Sequence, residues 1–202
     1  MVDEINSMVS TINNHLKQTL RYFWPAANAF PSEKIITTEI IKYFHDNIYN
    51  IYPECNIKSG TAGRESRDLL IINSKDKWVI QFEVKHLYQY DKALLDLERV
   101  YRLKPLNEFF ERINPDHEIN EFTKYGLFVG FGNNNDDKWW LSPTSPENKK
   151  IAEEHLGGYI TKENYELLSS YYNKHNSKCG HFKKNESNDF WLVYYFVECS
   201  DS

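Results

Sequence analysis

The sequence predicts a single α/β domain, and three observations carry the prediction. Its 202 residues fit one ordinary core with a peripheral extension. A hydrophobic share of 41% beside 26% charged residues describes a chain able to bury a core, which excludes wholesale disorder and collagen-like or coiled-coil repeats. Over residues 32–131 the apolar pattern then reads, in order, as helix, strand, strand, strand, helix, strand.

Each element has its own warrant. Residues 4–23 set Ile5, Met8, Val9, Ile12, Leu16, Leu20 and Phe23 at three-and-four spacing, an amphipathic helix expected to end at Trp24-Pro25. Ser32 is placed to cap a second helix reaching about Asn47, with Ile36, Ile40, Ile41, Phe44 and Ile48 as its stripe and Glu39 at the stripe's edge. Residues 51–57 read as extended, and the glycines of 59–63 mark a turn or mobile loop. Residues 68–72 and 78–85, rich in β-branched and aromatic side chains, form a hairpin about the turn 74–77. Asp91 is placed to cap a helix running toward Phe110 and stopped by Asn114-Pro115. Residues 124–131 form a buried strand, 133–146 a polar loop, 147–156 and 161–173 helices, and 190–197 a last strand. The chain therefore divides into an N-terminal helical extension (1–31), a core (32–131) and a C-terminal helical and strand extension packed on it (132–202), in one compact domain.

Several function classes drop out. The longest apolar run, Phe190 to Val197, is far shorter than the ~20 residues a spanning helix requires. The opening Met-Val-Asp-Glu lacks the basic-then-apolar pattern of a secretory signal, so a cytosolic protein without membrane contact is expected. Cys55, Cys179 and Cys199 form no disulfide framework and read as buried or idle thiols. His175, Cys179 and His181 invite a zinc reading, but Cys199 is the only nearby thiol for a site that needs four ligands. A net charge of −5 argues against nucleic-acid binding by bulk electrostatics and leaves room for local basic patches.

The charged residues of the hairpin carry the chemistry. Glu83 and Lys85 lie two apart and project from one sheet face, while a four-residue turn pairs Asn73 with Trp78 and sets Asp68 opposite Glu83. Facing carboxylates repel unless a cation sits between them, and a hard divalent ion with oxygen ligands, Mg²⁺ first, is the usual solution. Such an ion polarises a phosphodiester oxygen and lowers the pKa of bound water, and a neighbouring lysine orients that water or stabilises developing charge. Acid-any-Lys also occurs at Asp136 to Lys138 and at Glu147 to Lys149, but neither lies in an alternating strand with an acid across a hairpin.

With Asp68 on one strand, Glu83-Val84-Lys85 on the next and the helix-strand-strand-strand-helix-strand order around them, the chain resembles the PD-(D/E)XK nuclease superfamily. The resemblance covers roughly residues 32–131, with Arg67-Asp68 standing where that family has Pro-Asp. It implies a restriction-endonuclease-like αβββαβ core, a mixed sheet flanked by helices. It also implies catalytic roles for Asp68, Glu83 and Lys85, and a glutamate on the first core helix that Glu39 is expected to supply. Asp68, Glu83 and Glu39 are then the expected ligands of Mg²⁺, with Mn²⁺ as a substitute. DNA is the implied substrate, double-stranded by analogy and with RNA left open, and a homodimer or partner subunit is expected because cutting a duplex takes two sites. Lys58, Arg64 and Arg67 form a basic cluster beside the glycine-containing loop that either tracks phosphates or is a polar loop. Arg99 either contacts a phosphate or pairs with Asp96 one turn away. A non-catalytic nucleic-acid-binding or assembly subunit, and a hydrolase of other phosphoesters, are the competing classes.

Overall fold

A computed structural model of the chain describes residues 1–27, 32–45, 48–58, 64–87, 90–100, 119–132, 181–187 and 190–199, with single positions 109, 113, 146, 163, 166, 167, 169 and 170. Helix α1 spans Val2–Ala27. Ile5, Met8, Val9, Ile12 and Leu16 are buried along one face, as their spacing requires. It runs through Pro25 rather than stopping there. The proline sits in the last turn, where its missing N–H costs one hydrogen bond next to carbonyls that lose their partners anyway.

Helix α2 spans Glu33–Tyr43, and Ser32 caps it in an extended conformation, its hydroxyl accepting from Ile35 N at 3.4 Å. Phe44 ends it short of the expected Asn47; Ile36, Ile40 and Phe44 are buried, whereas Ile48 lies beyond the helix and is exposed. Three strands follow: β1 (Tyr49–Lys58), β2 (Arg64–Asn73) and β3 (Trp78–His86). Next come helix α3 (Tyr90–Arg99), a short 3₁₀ turn (Ile119–Glu121) and β4 (Thr123–Gly132). Asp91 lies inside α3's first turn rather than capping it, and the expected continuation of this helix toward Phe110 lies largely outside the described residues. Two strands, β5 (His181–Ser187) and β6 (Phe190–Cys199), complete the chain.

The six strands form one mixed sheet in the order β1-β2-β3-β4-β6-β5. Strands β1, β2 and β3 are an antiparallel meander, β4 runs parallel to β3 after the α3 crossover, and β6 pairs antiparallel with β4 and β5. The strand β5 has no counterpart in the sequence reading, and β6 makes the C-terminal segment part of the sheet itself. The expected loop at 133–146 and helix at 147–156 fall outside the described residues except for Pro146; of 161–173, the described positions are helical.

Helices α1 and α2 cover one face of the sheet. Ile5, Met8, Ile36, Ile40 and Phe44 meet Leu69, Ile71, Ile80, Phe82 and Phe196 in a continuous core. Each such side chain contributes roughly 1.5–3 kcal/mol by leaving water. Helix α3 packs on β3 and β4, burying Ala93, Leu94 and Leu97. Its end comes so near β4 that a Cβ added at Gly126 would stand 2.3 Å from the Val100 carbonyl oxygen. Among the described residues no helix is long and apolar enough to cross a membrane.

Candidate active site at the open end of the β2–β3 hairpin

The hairpin closes as its turn dictates, Asn73 opposite Trp78, and the register continues to Leu69 opposite Phe82. The expected next pair, Asp68 with Glu83, does not form. The two strands part there, and the Asp68 carboxylate accepts the Val84 N–H at 2.7 Å in place of a ladder bond. The strand also changes phase at this point. Leu69 and Ile71 face the α1/α2 core and Leu70 the opposite side, yet Arg67 also reaches to the α3 side, where its Nε bonds Gln81. Strand β1 is disturbed at the same level: its pairing with β2 omits Glu54 and Asp68, and Glu54 has a positive φ of 49°. On the α2 side Asp68 opens on a cleft of about 250 Å³, also lined by Glu33, Thr37 and Pro53.

Glu83 is 3% exposed, and among the described residues its Oε1 receives no hydrogen bond. Arg67 Nη1 stands 3.7 Å from that oxygen. Burial, with the Asp68 charge adding to it, pushes the Glu83 carboxyl up to about 9. Asp68 is shifted up too, chiefly by burial and further by the negative charges of Glu33 and Asp96, against the pull of the Val84 hydrogen bond and of Lys85.

Lys85 ends the set. Its Nζ lies 3.0 Å from Glu33 on α2 and 3.5 Å from Asp96 on α3, so carboxylates from the helices on opposite faces of the sheet hold one ammonium. Burial alone would lower the Lys85 pKa, but these two partners outweigh it and raise it. The group is a fixed cation and no base. Glu33 Oε1 also accepts the His86 N–H at 3.3 Å, and Asp96 Oδ1 accepts Arg99 Nη1 at 2.7 Å. Asp96 is shifted up by burial, against the pull of Lys85 and Arg99.

Beneath this group lies a buried polar network that fixes α3. Arg67 gives Nε to Gln81 Oε1 at 3.0 Å, Nη1 to Ser66 O at 3.2 Å and Nη2 to Arg99 O at 3.0 Å. Gln81 Nε2 donates to Val100 O at 2.6 Å, and the Cys199 thiol approaches the same carbonyl at 3.3 Å. The end of a helix leaves carbonyls without intrahelical donors, and here a strand arginine and glutamine supply them. Burial pushes the Cys199 thiol up to about 12, which keeps it protonated.

The structure thus brings together Asp68, Glu83, Lys85 and Arg99 of the expected site residues and directs others elsewhere. Glu39 is held between α1 and α2 by hydrogen bonds with His15 Nδ1 and Lys42 Nζ, the latter at 2.7 Å. Burial would raise its pKa, but those partners lower it, so Glu39 is an ionised tie between helices and not part of the group around Lys85. The α2 carboxylate at that group is Glu33, about two turns earlier, which the sequence reading did not single out. Arg67 is fully buried and its guanidinium is committed to the α3 end, which corrects its expected role as a phosphate contact. Lys58 and Arg64 pair in register at the far end of the β1–β2 hairpin; their side chains and the loop 59–63 lie outside the described residues. Of the zinc candidates, His175 and Cys179 also lie outside them. In the sequence Asp96 is distinguished only by its spacing to Arg99; its reach to Lys85 depends on how α3 lies across β3.

No family model, curated protein or solved structure matches the chain. Among the described residues no three His, Cys, Asp or Glu side chains stand ready to ring a metal ion. The donor chemistry nevertheless suits a hard divalent cation. Among the described residues Glu83 presents a buried oxygen without a hydrogen bond, Asp68 stands where the β2–β3 pairing ends, and both carboxyls are raised by burial and by neighbouring negative charges, Asp68 acting on Glu83 and Glu33 and Asp96 on Asp68, a cost that a cation would relieve.

Proposed function

We propose that this chain is a metal-dependent nuclease with a restriction-endonuclease-like core, hydrolysing phosphodiester bonds in DNA, with double-stranded DNA the substrate class its resemblance implies. The observation that carries the reading is the buried Glu83 carboxyl, raised by burial and by the charge of the half-buried Asp68, beside a lysine held as a cation where the hairpin opens. A surface hairpin with no chemistry to perform has no need to hold Glu83 in a pocket that disfavours its charge.

Asp68 and Glu83 would hold Mg²⁺ or Mn²⁺, and the cation would supply polarisation of the phosphodiester oxygen and a bound water of lowered pKa. The chain's own residues do the rest. Lys85 donates hydrogen bonds, steadying the attacking water and the negative charge that grows on the phosphate. Glu33 and Asp96 hold the Lys85 ammonium at the end of β3. The Val84 N–H fixes the Asp68 carboxylate through Oδ2. A net charge of −5 leaves one subunit little basic surface, so the working unit is a dimer or a complex with a partner subunit.

The test is cleavage of plasmid and linear DNA by the purified chain with Mg²⁺ or Mn²⁺, against the same reaction in excess EDTA. Metal-dependent cutting that Asp68→Asn and Glu83→Gln abolish is expected. Cutting that persists in EDTA, or a wild type that binds DNA and cuts nothing with any divalent cation, refutes the reading, and the second outcome favours a non-catalytic DNA-binding subunit.

A further inference from the structure

Asp96 uses its two oxygens on two different cations: Oδ1 on Arg99 Nη1 at 2.7 Å and Oδ2 on Lys85 Nζ at 3.5 Å. We propose that Lys85 and Arg99 form a two-cation seat for one phosphate group, and that Asp96 is the positioning residue that sets their spacing. The proposal rests on the nuclease reading of the preceding section.

The geometry argues for it in three steps. A carboxylate and a phosphate each present a pair of oxygens at similar separation, so cations registered on the two oxygens of one also suit two non-bridging oxygens of the other. Both cations keep donors to spare. Among the described residues Arg99, 42% exposed in its side chain, spends only Nη1 on Asp96, and the Lys85 ammonium has three donors for two partners. The seat is also braced from below. Arg67 Nη2 holds the Arg99 carbonyl and Gln81 holds that of Val100, so the last turn of α3, which carries Arg99, is tied to β2 and β3 by buried hydrogen bonds. This gives the buried Arg67 a purpose that a phosphate contact could not: it fixes the distance between a helix cation and a strand cation.

Asp96 itself is nearly buried and carries a negative charge beside Glu83 and Asp68, which would be a liability without the two cations it aligns. Charge balance supports the same assignment. With Asp96 the pair of cations keeps one net positive charge, and Glu33, whose side chain is 41% exposed, holds Lys85 from the α2 side while a phosphate takes its third donor.

The test uses the full chain with Mn²⁺, a short DNA oligonucleotide as substrate and inorganic phosphate as competitor. Four forms are compared: wild type, Asp96→Asn, Arg99→Ala and the double variant. Asp96→Asn keeps one acceptor for Arg99 but turns an amide N–H toward Lys85, so kcat should fall by about 10–100-fold with KM changed far less. Inhibition by phosphate should weaken in both single variants. Because Asp96 acts through Arg99 and Lys85, the double variant should be about as slow as the slower single one. Asp96→Glu, which keeps both acceptor oxygens, should recover part of the rate and shows that loss in Asp96→Asn is not a folding defect. A merely structural Asp96 would lower the melting temperature and leave kcat of the folded protein alone. Wild-type cleavage with fully additive losses, or with unchanged kcat in Asp96→Asn, overturns the seat while leaving the nuclease reading intact. A wild type that cleaves nothing overturns that reading and the seat with it.

Discussion

Replacing Glu83 by glutamine should make the metal-free protein more stable, and more so as pH rises. The carboxyl is ordinary at 4.5 in the unfolded chain and about 9 in the fold. Between those values the folded state holds a proton that the unfolded state has released. The stability this group contributes is therefore complete below pH 4.5 and is lost as pH climbs toward 9, at up to about 1.4 kcal/mol per pH unit. At pH 7, roughly 2.5 pH units above the ordinary value, the deficit reaches about 3 kcal/mol. Asp68 and Asp96 are raised as well and add to the slope with the same sign. Glutamine keeps the shape and removes the titration. Urea unfolding of wild type and Glu83→Gln in EDTA from pH 5 to pH 8 measures the difference. The two curves should nearly meet at pH 5 and separate with rising pH, which for a chain of this size means roughly 6–12 °C in melting temperature at pH 7. Parallel curves, or a variant less stable than wild type at pH 8, would refute the argument that burial and the Asp68 charge strain Glu83.

Other substitutions probe the scaffold. Arg67→Ala should cost about 3–5 kcal/mol, because it strips donors from Gln81 and the Arg99 carbonyl inside the protein and leaves Glu83 without its nearby cation; an unchanged urea midpoint would return Arg67 to the surface role expected from sequence. Gly126→Ala should cost roughly 1–3 kcal/mol by forcing α3 off β4, since the new methyl would meet the Val100 carbonyl. Glu33→Gln should slow cleavage several-fold while Glu39→Gln leaves the rate alone and weakens only the α1–α2 tie; the reverse pattern in a cleavage assay would restore Glu39 to the site.

Where the sequence spoke clearly, the relevant physics was local. The Ser32 cap, the α1 stripe and the turn at 74–77 each follow from residues within a few positions, and the hairpin register held as far as Leu69 and Phe82. It failed by one step at Asp68, because nothing in the alternation of β2 announces that Arg67 leaves its expected side to reach Gln81 and Arg99. Glu39 and Glu33 share a helix, and choosing between them required knowing that His15 of α1 lies against the first and the end of β3 against the second. Such pairings join residues far apart in the chain, and a hydrophobic pattern carries no record of them. The strand β5 escaped for a related reason. His181–Ser187 is mostly polar, and its place in the sheet comes from pairing with β6 rather than from its own propensity.

Crystals soaked in Mn²⁺ and recorded at a wavelength that reveals manganese by anomalous scattering test the central claim most directly. The account predicts a manganese peak between the carboxylates of Asp68 and Glu83, absent from crystals of the Glu83→Gln variant. A wild-type crystal with no peak there at saturating Mn²⁺, from protein that still cuts DNA, would contradict it.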